Sequence, residues 1–226
     1  MRRAEAAGLT DPASRRLLVI GASRGIGRAA VAEALARGHV LRALARSAEN
    51  DGKESTRLET VAADATDPVA LRGAVEGMDA VILALGVPAD PRRMCRRVEL
   101  FSRATEALVP QMRAAGCRRL VAVTGFGAGE SHAAMSRLER LPHGFFLGTA
   151  YADKDRQEAL IRESGLDWLI VRPTILTNGP RTRRYLVLRD RRAWRNGLVS
   201  RADVAHFLVS QAADGDLSHE GPVLAY

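Results

Sequence analysis

Short apolar runs alternating with amphipathic stretches set the rhythm of this chain. Leu17-Leu18-Val19-Ile20 is a continuous apolar run, the pattern of a strand covered on both faces. Helical spacing then takes over in Ala29, Ala30, Val31, Ala34 and Leu35. The same alternation predicts further strands over His39–Ala45, Leu58–Ala62, Asp79–Gly86, Arg119–Thr124, Asp167–Val171 and Val223–Tyr226. A long helix is predicted over Met94–Ala115, with Val98, Phe101, Thr105, Leu108 and Met112 on one face. Shorter helices are predicted over Ser131–Arg140, Tyr151–Glu163 and Ser200–Gln211. Strands alternating with helices predict an α/β fold, a doubly wound parallel sheet of the Rossmann type.

Turn and cap residues punctuate that pattern. Asp67-Pro68 reads as an N-cap with proline in the first helical position. Gly77, Gly116 and Gly165 close helices, and Ser200 with Asp203 makes a capping box. Residues 126–148 are small, then apolar and aromatic, and read as a substrate-pocket wall or lid. Residues 178–199 are polar and Arg-rich, with Tyr185, Val187 and Leu188 marking a small strand.

A length of 226 residues suits one domain. The expected division is a flexible N-terminal extension over 1–15 and a single nucleotide-binding domain over 16–226, with a small C-terminal substrate-side region. No apolar run reaches the roughly 18–20 residues that span a bilayer, so the expectation is a cytoplasmic monomer or homodimer without membrane contact. Cys95 and Cys117 have neither a disulfide framework nor metal spacing, and no metal is expected. The five histidines have no metal-ligand spacing either; His132 and His143 flank the expected pocket.

The formal charge is +8, but the basic residues are scattered, so a solvated Arg-rich surface is expected rather than a nucleic-acid face. The Arg92–Arg93 and Arg96–Arg97 pairs form at most a local anion patch. Of 34 basic residues only Lys53 and Lys154 are lysines, which makes Lys154 stand out as a specified ammonium.

The chemistry starts after the first strand. Gly21, Gly25 and Gly27, with Ser23 and Ile26 between them, form a G-x-x-x-G-x-G turn that opens a helix. Glycine lets backbone approach a ligand closely. Unpaired N–H groups and the dipole at the helix start favour an anion. Strand, turn and helix together predict a pyrophosphate cradle. About 20 residues on, where NAD-binding folds place an acidic residue against the ribose, this chain has Arg46, and Arg24 lies in the turn itself. Two guanidinium groups suit a 2′-phosphate, so NADP(H) is expected over NAD.

The glycine turn resembles that of the short-chain dehydrogenase/reductase superfamily, T-G-x-x-x-G-x-G, with Ile20 at the usual threonine. The stretch from Lys154 to Pro180 and the SRADVAHFL segment from Ser200 resemble the atypical short-chain group of NAD(P)H-binding proteins similar to biliverdin reductase B, the flavin reductase. NmrA-like and epimerase-like proteins are more distant relatives. The resemblance runs from Arg16 onward. It implies that Asp64, beside Ala65, meets the adenine, that Leu85 and Gly86 pass beneath the ribose, and that Pro173 lines the nicotinamide with Thr124 near its ring. The N-N-A-G motif of the standard enzymes is absent at Ala84-Leu85-Gly86. Ile175 stands where the flavin reductase has a histidine.

The resemblance also implies a proton-donating tyrosine, a lysine and a hydroxyl residue, here Tyr151, Lys154 and Thr124. The ammonium lowers the phenol pKa, and the proton neutralises the charge that hydride transfer leaves on oxygen. The family spacing is Tyr-x-x-x-Lys. This chain has Tyr151-Ala152-Asp153-Lys154, with Asp155 in the family's lysine position. Three residues still share a helix face, with altered geometry. Three functions are therefore weighed: an NADPH-dependent reductase of a small carbonyl, quinone, flavin or conjugated acceptor; a non-catalytic NADP(H)-binding sensor; and an epimerase or dehydratase, disfavoured by the broken tyrosine–lysine spacing.

Overall fold

The computed structural model describes residues 14–47, 56–87, 98–135, 137–217 and 219–226, with the backbone alone for 137–148. The first half runs β1 (Arg16–Ile20), α1 (Gly25–Ala36), β2 (Val40–Ala45), β3 (Leu58–Ala62), α2 (Pro68–Val75), β4 (Ala80–Leu83) and α3 (Leu100–Ala114). The second half runs β5 (Arg119–Val123), α4 (Arg137–Arg162), β6 (Asp167–Pro173), β7 (Ile175–Thr177), β8 (Leu186–Leu188), β9 (Leu198–Ser200), α5 (Arg201–Ala213) and β10 (Val223–Ala225).

The main sheet has the order β3-β2-β1-β4-β5-β6-β10-β8. All its pairings are parallel except β10 with β8. The order reverses between β1 and β4, and ligands of open α/β sheets bind at such a point, beyond the strand C-termini.

The central strands β1, β4, β5 and β6 are buried on both sides, which is why they read as nearly unbroken apolar runs. Successive residues of a strand point to opposite faces. Leu17 and Val19 join Ala30 and Ala34 of α1 and Val204, Phe207 and Leu208 of α5 in one core. Leu18 and Ile20 join Leu71 of α2, Leu108 and Met112 of α3 and Ile161 of α4 in the other. Leu17, Leu18 and Val19 are fully buried, so truncating either leucine to alanine costs about 2–5 kcal/mol.

Both predicted N-caps form, but the reciprocal half of the capping box does not: the Asp203 carboxylate accepts from Thr182, Arg183 and Tyr226, and the Ser200 N–H donates to Tyr226 Oη at 3.1 Å. The Asp67 carboxylate accepts from the Val69 N–H at 2.9 Å, with Pro68 in the first turn, and Ser200 Oγ accepts from the Asp203 N–H at 3.0 Å.

Several expectations need correction or fall outside the described residues. The helix over Ser131–Arg140 is instead a 3-10 turn at Gly129–Ala134 followed by α4, whose backbone stays helical through Pro142 and Gly144 into the segment carrying Tyr151. Phe126 and Met135, expected in the pocket wall, pack with Trp194 and Val223 as a small separate core. The β7–β9 ribbon, too short for a periodicity signal, was not anticipated. The proposed extension before Ser14, the 88–97 stretch with Cys95 and the paired arginines, and the side chain of His143 lie outside the described residues.

The arginines are also less idle than a solvated surface implies. Arg42 donates to the carbonyls of Gly73, Ala74 and Glu76 at 2.9, 2.8 and 3.1 Å, closing the C-terminal end of α2. Arg119 does the same for α5 through Gln211, Ala212 and Gly215, and Arg113 reaches the Ser164 carbonyl just past α4. A cation at a helix C-terminus satisfies orphan carbonyls and opposes the dipole.

Candidate active site

A cleft of about 690 Å³ opens along the C-terminal ends of the strands. Its near end is the glycine turn. Gly21 holds φ +89°, and a Cβ there would lie 2.6 Å from the Ala84 carbonyl oxygen. A Cβ at Gly27 would overlap the carbonyl oxygen of Gly21. Thus Gly21 lets the turn cross the end of β4, and Gly27 lets α1 pack beneath the turn. Gly27 is buried and supports the cradle from below, whereas Gly21, Ser23, Arg24, Gly25 and Ile26 line the cleft itself.

The loops after β2, β3 and β4 form one wall. Arg46, Asp64, Ala65, Leu85 and Gly86 all line it. Arg24 Nη2 donates to the Gly86 carbonyl at 3.2 Å, spanning the wall. Asp64 Oδ1 accepts from the Thr66 N–H and hydroxyl, both at 2.8 Å. These bonds, first the backbone one, hold the Asp64 carboxyl below its usual range, and Arg46 and Arg103 add to this. Arg24 and Arg46 are both solvent-exposed.

The far end holds Tyr151 and Lys154. The shortened spacing still brings both into the cleft. The Lys154 ammonium donates to the Thr124 carbonyl and lies 5.2 and 5.3 Å from the ring centres of Phe101 and Tyr151. At Gly125 a Cβ would sit 2.9 Å from Tyr151 Oη and 3.5 Å from Lys154 Nζ. The glycine leaves space into which both polar atoms point. Against the expected lowering by Lys154, burial raises the Tyr151 pKa. Burial pushes Lys154 down to about 8, with Glu158 pulling the other way. Asp155, at the family's lysine position, turns outward and accepts from the Gly129 N–H at 2.6 Å.

Thr124 lines the cleft. Its hydroxyl turns inward and donates to Glu158 Oε1 at 2.9 Å. Pro173 lines the cleft, at the end of β6. Ile175 does not line it: β7 alternates, so Leu176 faces the cleft and Ile175 is exposed.

Three supporting groups escaped sequence reasoning. Asp153 is buried, and its carboxylate accepts from the Phe101 N–H at 2.7 Å and from Ser102, capping α3 from α4. Glu158 and Arg172 form a buried ion pair beneath Thr124. Arg172 alone stood out as a charge within an apolar run; Asp153 and Glu158 lie among other charged residues and carried no such signal.

Cleft, glycine turn and strand order define a dinucleotide-binding Rossmann protein. A family model described as NAD(P)H-binding matches residues 21–215, and the chain belongs to that family. Among solved structures, ChuY, the anaerobilin reductase of Escherichia coli O157:H7, superposes with a TM-score of 0.77 at 24% identity, covering 93% of this chain and 96% of that one. A protein of Streptococcus pneumoniae TIGR4, provisionally named an NADH-flavin reductase, gives 0.72 at 24% identity, covering 94% and 99%. A Rossmann-fold NAD(P)-binding family protein of Shigella flexneri gives 0.68 at 21% identity, covering 93% and 92%. No helix among the described residues is long and apolar enough to cross a membrane.

Proposed function

We propose that this protein is an NADPH-dependent reductase of the atypical short-chain type, acting on a small carbonyl, quinone, flavin or conjugated acceptor. The observation that carries this reading is the convergence of Tyr151 Oη and Lys154 Nζ on the space above Gly125, in the same cleft as the glycine turn. The named activities of the ChuY and pneumococcal proteins support the acceptor class.

Gly21, Ser23, Gly25 and Ile26 would hold the pyrophosphate, and Arg24 and Arg46 the 2′-phosphate, which no carboxylate at position 46 repels. Asp64 and Ala65 would flank the adenine, Leu85 and Gly86 the ribose, and Pro173 the nicotinamide. The bound nicotinamide would supply a hydride to the acceptor. Tyr151 then donates its proton to the oxygen that receives the displaced electron pair, and solvent restores the phenol. A raised pKa keeps that phenol protonated at neutral pH, which suits a donor in the reductive direction. Lys154 steadies the resulting phenolate and the ribose hydroxyls with its charge. Thr124 contributes the carbonyl that positions Lys154.

The test is NADPH oxidation with a panel of quinones, flavins and aldehydes. Turnover that falls by about 10²-fold or more in Tyr151→Phe fits the scale of general acid–base catalysis, and Lys154→Ala should lower turnover as well. One feature favours the sensor reading instead: the Thr124 hydroxyl, the third member of the usual set, is committed to Glu158. Tight NADPH binding without turnover on any acceptor would establish the sensor.

A further inference from the structure

Arg201 is the first residue of α5, far from the glycine turn in sequence, yet it lines the cleft beside that turn. Its Nε lies 4.0 Å from where a Cβ on Gly25 would stand. Gly25 begins α1, so this guanidinium stands over the same helix start that offers its N–H groups to an anion. Arg201 Nη1 donates to Asn178 Oδ1 at 2.7 Å, which fixes the orientation of the fork. The Nε–Nη2 edge has no acceptor among the described residues.

A second observation points the same way. A cation in the first turn of a helix opposes the macrodipole and is unfavourable there. The rest of that turn is conventional, with Ser200 capping and Asp203 acidic. Arg201 is therefore the residue in the turn that helix electrostatics does not explain. An anion bound against it would.

We infer that Arg201 is a pyrophosphate clamp, closing over the glycine cradle from the neighbouring start of α5. This rests on the nucleotide-binding reading and adds a contact that the glycine turn does not supply. The two sides are complementary: backbone N–H groups and partial charge from α1, a full charge and a two-donor edge from Arg201. Asn178 acts as its positioning residue.

Such a contact is blind to the 2′-phosphate. Loss of one charge-assisted, two-donor contact corresponds to roughly 10- to 100-fold in affinity. Arg201→Ala is expected to weaken NADPH, NADH and ADP by a similar factor in that range, measured by calorimetric titration. Adenosine 2′-monophosphate, which has no pyrophosphate, should bind Arg201→Ala as it binds the unaltered protein. Arg201→Lys should recover part of the loss, and Asn178→Ala should show a smaller loss of the same kind. Equal affinities for Arg201→Ala and the unaltered protein, at unchanged thermal stability, would overturn the clamp. A loss confined to NADPH would also overturn it, by moving Arg201 to the 2′-phosphate. Should Arg201→Ala fail to fold, Arg201→Lys and Asn178→Ala carry the same comparison. Failure of the unaltered protein to bind any of these nucleotides would instead sink the underlying nucleotide reading.

Discussion

Arg172 lays two donors on Glu158, Nε on Oε1 at 2.9 Å and Nη2 on Oε2 at 2.6 Å, with neither side chain reaching solvent. The pair ties α4 to β6 directly below the cleft. Thr124 and Arg162 add hydrogen bonds to the same carboxylate, the Gly221 carbonyl accepts from Arg172, and Trp194 lies 5.1 Å from the guanidinium. A Cβ at Gly129 or Gly221 would invade the pair.

Removing one partner strands the other charge in the core. Arg172→Ala is expected to cost about 3–5 kcal/mol of stability, read as a lower urea midpoint. The double variant Glu158→Leu with Arg172→Met should lose less than the sum of the two single changes, because no charge is left alone. Strict additivity would show that the two residues act independently.

Lys154 has a pH signature. Burial lowers it from 10.5 to about 8, so between those values the unfolded chain binds the proton that the folded protein releases. The folding stability contributed by this site therefore rises with pH across that window and is lowest below it, where a charged ammonium is held away from water. Lys154→Met should gain on the unaltered protein most at pH 7 and lose that advantage toward pH 10. Urea midpoints at the two pH values check this; a constant difference would count against it. In the proposed reductase, kcat/KM should also decline as pH rises through about 8, since that ratio reports the free enzyme.

The 2′-phosphate assignment separates two cofactors. Arg46→Glu exchanges an attraction for a repulsion near one ligand group. NADPH affinity is expected to fall by at least about tenfold, the scale of a hydrogen bond to a charged group, while NADH affinity changes little. Equal losses in titrations with the two cofactors would refute the assigned role.

Asp153 holds the start of α3, and with it Phe101, against the end of the cleft that carries Tyr151 and Lys154. Asp153→Ala leaves the Phe101 and Ser102 N–H groups buried without acceptors. The cost is about 1–3 kcal/mol, visible as a lower thermal midpoint. A change well under 1 kcal/mol would mean that water replaces the carboxylate.

Much was written locally. The four-residue run before Gly21 and the caps at Asp67 and Ser200 each depend on neighbours within a few residues, so composition and spacing expose them, whereas the Asp203 carboxylate is drawn to Thr182, Arg183 and Tyr226. Helix boundaries near 131–148 were misread because Pro142 and Gly144 are local breaking signals that the helix nevertheless tolerates. The short β7 and β9 have too few residues to show a period, and only their pairing with each other makes them strands.

The chain's order of residues determined the parallel sheet, the glycine cradle and the candidate pair Tyr151 and Lys154, because those rest on short-range sterics and on periodic burial. Folding alone decided where Thr124 sends its hydroxyl, which carboxylates lie buried, and that Arg201 of α5 stands beside Gly25 of α1. Those facts depend on contacts between segments distant in sequence, and no local preference of either partner encodes the meeting.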